Sequence, residues 1–131
     1  MESDSLNNPA LEQPALPDRD QPLVRSEALD QIRQINPELA VSVVTRFLSD
    51  TPVTIEKMNV DLASQNFDGL KIAAHSLKSN AATVGADQLA DCFSRIELGA
   101  VEGSDGLQEQ LEQVEKLYRD VVVELEEHQG G

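Results

Sequence analysis

The sequence predicts an all-α protein: an antiparallel up-down-up-down four-helix bundle with a short additional helix in front. Three observations carry this. From Ser26 onward the large apolar residues recur at steps of three and four, with no stretch of strand-like alternation. Cap and stop residues divide that pattern into one short and four long segments. The connections between segments are short, which forces neighbouring helices to run antiparallel. At 131 residues and 40% hydrophobic, the chain has material for one compact domain.

Residues 1–25 hold four of the six prolines, Pro9, Pro14, Pro17 and Pro22, and show no helical period. Proline fixes φ and removes a donor, so this part reads as a flexible tail or linker. The body is then residues 26–127, followed by a frayed end at 128–131. A first helix starts after Ser26 and carries Leu29, Ile32 and Ile35 on one side. Asn36 before Pro37 is an N-cap with proline in the first turn, where its missing N–H costs nothing. The stripe Val44, Phe47, Leu48, Thr51, Ile55, Met58, Leu62 follows and keeps its phase across Pro52, which predicts one kinked helix and not two.

Asn66 caps the next helix, whose stripe is Leu70, Ala73, Ala74, Leu77, Ala81 and Val84, and Gly85 ends it. Leu89, Cys92, Phe93, Ile96 and Ala100 mark a fourth segment that stops near Gly99 or Gly103. Ser104 is placed to cap the last helix, with the stripe Leu107, Leu111, Val114, Leu117/Tyr118, Val121 and Leu125. With four aromatic residues in the chain, the core must be built mainly from Leu, Ile, Val and Ala.

Composition excludes several functions. With 24 acidic and 10 basic residues the net charge is −14, which repels nucleic acid and anionic membrane surfaces. One cysteine, Cys92, forms no internal disulfide, and no Cys/His spacing suits zinc. No apolar run reaches the roughly 18 residues of a membrane span, and the acidic start is no signal peptide. Glycine-rich phosphate loops and Gly-x-Ser-x-Gly elbows are missing too.

Two histidines remain. His128 sits among the terminal residues. His75 lies in mid-helix on a strip shared with Lys71, Lys78, Ser79 and Ala82, away from the inward Ala74 and Leu77. Ser79 and Ala82 are small enough to leave the imidazole uncovered. Residues 67–85 carry a net +1, whereas residues 97–127 hold ten acids and two bases, so the strip around His75 is a locally basic patch on an acidic domain. No carboxylate at obvious spacing makes a dyad with it. A neutral imidazole is a good nucleophile near pH 7, and Lys71 and Lys78 can reach an anion bound to its ring. A solvated surface histidine is the plain alternative.

The run His75-Ser76-Leu77-Lys78-Ser79-Asn80-Ala81-Ala82-Thr83-Val84-Gly85 resembles the signature of histidine-containing phosphotransfer (HPt) domains, His-x-Leu-Lys-Gly with a second glycine ten positions after the histidine. Ala73-Ala74, the Phe47-Leu48-x-Asp50-x-Pro52 stretch and the Leu89…Cys92…Ile96-Glu97 helix agree with it, and the likeness covers about residues 24–126. Ser79 departs from the family's usual glycine; its hydroxyl can bond the imidazole or the phosphoryl group, or hinder docking.

The resemblance implies a phosphocarrier without kinase activity of its own. His75 would take a phosphoryl group on Nε2 from a receiver-domain aspartate and return it to another receiver, which supplies Mg²⁺; no cofactor or metal of its own is implied. Lys78 and Lys71 would neutralise the transferring oxygens, and Gly85 would be structural. Ser79, Ala82, Thr54 and Lys57, with Asp61, would rim the docking surface. The Pro-rich leader suits a free-standing carrier or the C-terminal module of a hybrid sensor histidine kinase, cytoplasmic in either case and tethered to the inner membrane in the second. The rivals are an adaptor bundle that binds receiver or kinase domains without histidine chemistry, a kinase phosphoacceptor region, and a coiled-coil assembly.

Overall fold

A computed structural model describes residues 22–103 and 105–130, the last three by backbone alone. The expected cap Ser104 and the side chain of His128 lie outside the described residues. The described residues form five helices: α1 (Ser26–Ile35), α2 (Pro37–Ala63), α3 (Phe67–Thr83), α4 (Asp87–Glu102) and α5 (Leu107–Gly130). Each long helix packs on the next, α5 closes the ring against α2, and α1 lies on α2. This is the expected four-helix bundle, and the described residues contain no strand. None of the described helices is long and apolar enough to cross a membrane.

The caps form as their residues dictate. The Asn36 side chain accepts from the N–H groups of Glu38 and Leu39 at 3.0 and 3.4 Å, and that of Asn66 accepts from Gly69 at 3.1 Å. The stripes are the core: Val44, Phe47, Met58, Leu77, Leu89, Phe93, Leu111 and Val121 are all buried. Ile35 is the exception. It is 82% exposed, because the extended Asn36 redirects the chain and leaves the last residue of α1 outside the bundle.

The folded part begins before residue 26. Leu23 and Val24, expected in the tail, are buried at 6% and 1% exposure. The Glu124 carboxylate accepts from the backbone N–H of Leu23 at 2.8 Å and of Val24 at 3.0 Å, and Arg25 N–H donates to Gly85 O at 2.8 Å. Arg25 also pairs with Asp87 at 2.9 Å, which holds its guanidinium above its ordinary value. Fixing these amides ties the leader across the ends of α3, α4 and α5. At the other end α5 is helical to Gly130.

α2 is one helix through Pro52. Proline leaves the Leu48 carbonyl without its i+4 donor, and the Tyr118 hydroxyl from α5 donates to that oxygen at 3.3 Å while its ring packs on Phe47 at 5.7 Å. Burial pushes the Tyr118 phenol above its ordinary value. Tyr118→Phe should therefore cost about 0.5–1 kcal/mol in urea unfolding, the bond being long. The raised phenol favours the protonated form in the fold, so this contribution is intact below about pH 10 and fades as pH rises through the folded value. Absorbance titration of this single tyrosine should show a midpoint above that of the urea-unfolded chain.

Two turns share one geometry and differ in residue. Asn66 N–H reaches Asp61 O at 2.7 Å across Gln65, and Ala86 N–H reaches Ala81 O at 2.9 Å across Gly85. Gln65 has φ +60° and Gly85 φ +84°. A side chain in that left-handed region costs about 1–2 kcal/mol, which glycine avoids at the expense of unfolded-state entropy. Gln65→Gly should raise stability by about 0.5 kcal/mol net, read as a small upward shift in Tm.

Candidate functional site

His75 stands halfway along α3, between buried Ala74 and Leu77 but on the opposite side of the helix. Its side chain is 62% exposed, and both Ser79 and Ala82 beside it are exposed as well. The small residues thus leave the ring open.

The ring has a partner that sequence spacing did not reveal. Nδ1 lies 3.0 Å from Glu97 Oε2 on α4. An ionised carboxylate only accepts, so in the neutral ring this bond places the proton on Nδ1 and leaves the lone pair on Nε2. Lys78 Nζ is 3.6 Å from the other oxygen, Glu97 Oε1. Glu97 therefore holds both the imidazole and the nearer lysine, and its own side chain is only 25% exposed. The contact was legible by counting around the α3–α4 turn: His75 lies ten residues before Gly85 and Glu97 twelve after it. Sequence spacing showed no carboxylate in a position to make a dyad with His75; the fold supplies Glu97 from the neighbouring helix. The imidazole bonds to Glu97 and not to Ser79.

Lys71, half-buried one turn before His75, has no ion pair among the described residues. Leu48 and Asn59 meet Tyr118 and Glu115 of α5, so the other flank of α2, with Thr54, Lys57 and Asp61, is turned toward α3. The groups on that flank are occupied. Thr54 donates its hydroxyl to Asp50 O at 2.9 Å. Lys57 holds buried Asp61 at 2.6 Å, whose carboxylate also accepts from Asn66 at 3.3 Å; this cluster fastens the α2–α3 turn. Gly85 is where the leader crosses: a Cβ there would stand 2.5 Å from Arg25 O and 3.0 Å from Ala28 Cβ.

Cys92 is half-buried on α4, and burial pushes its thiol up, against the opposing influence of Arg95. It takes no part in the arrangement around His75.

Chemically, the site presents an exposed imidazole held through Nδ1 by a carboxylate, with Nε2 as the ring nitrogen that has no partner among the described residues. A carboxylate sits behind it to offset positive charge on the ring, and two lysines stand within one turn along the same helix. A family model described as the Hpt domain matches residues 42–126, which takes in nearly all of α2, the whole of α3 and α4, and α5 to within a few residues of its end. No curated protein and no solved structure gives a significant match. The fold, the position of the histidine on it and the extent of that match together show that this chain belongs to the Hpt domain family.

Proposed function

We propose that His75 is the residue on which this domain carries a phosphoryl group. Hpt domains serve histidine phosphotransfer in phosphorelays as phosphocarriers; the donor and the acceptor are here read as receiver domains bearing aspartyl phosphate. Nε2 attacks phosphorus in line with the carboxylate leaving group. The Nε2–P bond forms as the P–O bond to the aspartate breaks, and the electron pair departs with the carboxylate. The ring keeps its Nδ1 proton and gains positive charge, which the Glu97 carboxylate offsets. Lys78 turns from Glu97 to the phosphoryl oxygens, with Lys71 as the second cation. The reverse path delivers the group to another aspartate. Mg²⁺ is assigned to the receiver's side of the complex.

The observation that carries this reading is the exposed imidazole bonded through Nδ1 to Glu97. The test is incubation with purified receiver domains phosphorylated in vitro. The domain should acquire an acid-labile, base-stable label, mapped to His75 by mass spectrometry. An adaptor would bind receivers without acquiring any label, and ATP alone should leave the protein unmodified.

Glu97 has a measurable part in it. Glu97→Ala removes the proton acceptor and the counter-charge, and should slow transfer by about tenfold, the equivalent of one charge-assisted bond at a half-open site. Glu97→Gln keeps an acceptor for Nδ1–H and should fall between this variant and the wild type in the same single-turnover assay.

A further inference from the structure

We infer that the Ser79 hydroxyl donates to the phosphoryl group once it sits on His75, and so weights the exchange toward the loaded domain. The inference rests on the phosphocarrier reading and adds a residue that decides how the group is shared with the partner.

Ser79 stands where the family's usual glycine has no side chain at all, so its effect has to be read from this chain. It follows His75 by one turn, about 6 Å up α3 and about 40° around it. The Cα–Cβ bonds of a helix tilt toward its N-terminus, which carries the Ser79 side chain back toward His75. Ser79 is exposed. Its hydroxyl makes no hydrogen bond among the described residues, whereas Thr83, one turn on, turns its own back onto Ser79 O at 2.9 Å. The imidazole does not engage it either, being held through Nδ1 by Glu97 at 3.0 Å.

A phosphoryl group on Nε2 presents three acceptor oxygens. Lys71 and Lys78 both lie on the α4 side of His75, about 40° and about 60° around the helix, and Lys78 is within 3.6 Å of Glu97 Oε1. Ser79 stands on the other side, along the outer crest. Ile72, on that crest one turn before His75, is exposed but apolar. Ser76 lies about 100° from His75, turned toward α2. The oxygen that faces away from the lysines therefore has Ser79 as its donor. The hydroxyl keeps its proton throughout; the Nε2–P bond still forms as the aspartyl P–O bond breaks.

A side chain that merely obstructed the partner would behave differently. An obstruction acts in the complex, so it slows transfer both ways and leaves the equilibrium between the free proteins unaltered. A bond made by the phosphorylated domain alone shifts that equilibrium.

The measurement is the equilibrium constant for exchange with the purified receiver domain that labels the wild-type protein fastest, approached from both directions. It is made on the wild type and on Ser79→Ala, Ser79→Gly and Ser76→Ala, each checked for helicity by circular dichroism. Both Ser79 variants should shift the constant about fivefold toward the phosphorylated receiver, the scale of one exposed charge-assisted bond. Ser76→Ala should keep the wild-type value. The phosphorus NMR resonance of the phosphohistidine should move in the Ser79 variants and stay in place in Ser76→Ala. Equal constants in all the proteins overturn the inference, even where Ser79→Gly exchanges faster in both directions, since the serine is then an obstruction only. So does a shift in Ser76→Ala as large as that in Ser79→Ala, because the effect would not belong to this hydroxyl. If no receiver labels the wild-type protein, the phosphocarrier reading itself falls.

Discussion

With His75 replaced by Gln, the protein should take up no phosphoryl group from any receiver, yet should unfold within about 2 °C of the wild-type midpoint, because exposed substitutions of this kind cost about 0.5 kcal/mol or less. The two halves of this expectation have separate causes. The ring supplies the only outward nucleophilic nitrogen of the site, and an amide cannot replace it at neutral pH. The fold scarcely depends on the ring, which is 62% exposed and holds one side-chain partner; the Gln amide can still donate to Glu97. Label retained by the variant would move the acceptor elsewhere, and a large drop in midpoint would make the imidazole a structural group. Both readouts come from one preparation.

Gly85→Ala should have the largest effect on stability, about 3 kcal/mol or more: the left-handed φ accounts for about 1–2 kcal/mol and a backbone clash for the rest. The added Cβ meets Arg25 O at 2.5 Å and Arg25 N at 3.1 Å, main-chain atoms that can move only by breaking the Arg25 N–H to Gly85 O bond. That bond positions the leader, so Leu23 and Val24 would leave the core with it. Gly103 is the control. It too has positive φ, +67°, but a Cβ there meets nothing within 4 Å, so Gly103→Ala should cost about 1 kcal/mol. Urea unfolding of the two variants separates conformational strain from the crossing; equal losses would refute the crossing.

Much of this was legible in the sequence, and the misses share a cause. Asn36-Pro37 and Asn66 act through the few residues beside them, as does Gly85 in ending α3, so those roles could be read locally; the crossing of the leader at Gly85 could not. The stripes of α2, α3 and α5 face inward as the period predicts, even through Pro52. What escaped were relations between distant segments. Leu23 and Val24 looked like tail because they follow directly on a proline-rich stretch, and only the Glu124 carboxylate, about a hundred residues away, makes their burial intelligible. The oxygen freed by Pro52 was foreseeable, whereas Tyr118 as its donor was not. Glu97 was overlooked because spacing along one helix cannot show a residue contributed by the next. The bond of Lys57 to buried Asp61 likewise depends on how the α2–α3 turn closes.

The Leu23–Glu124 clasp has a geometrical consequence. It sets Leu23 and Val24 beside the final turns of α5, so the first and last described residues lie at the same pole. His75 is eight residues below the last residue of α3, about 12 Å from that pole at 1.5 Å per residue. The reactive equator therefore stands clear of the pole at which the first and last described residues meet, and is open from the side.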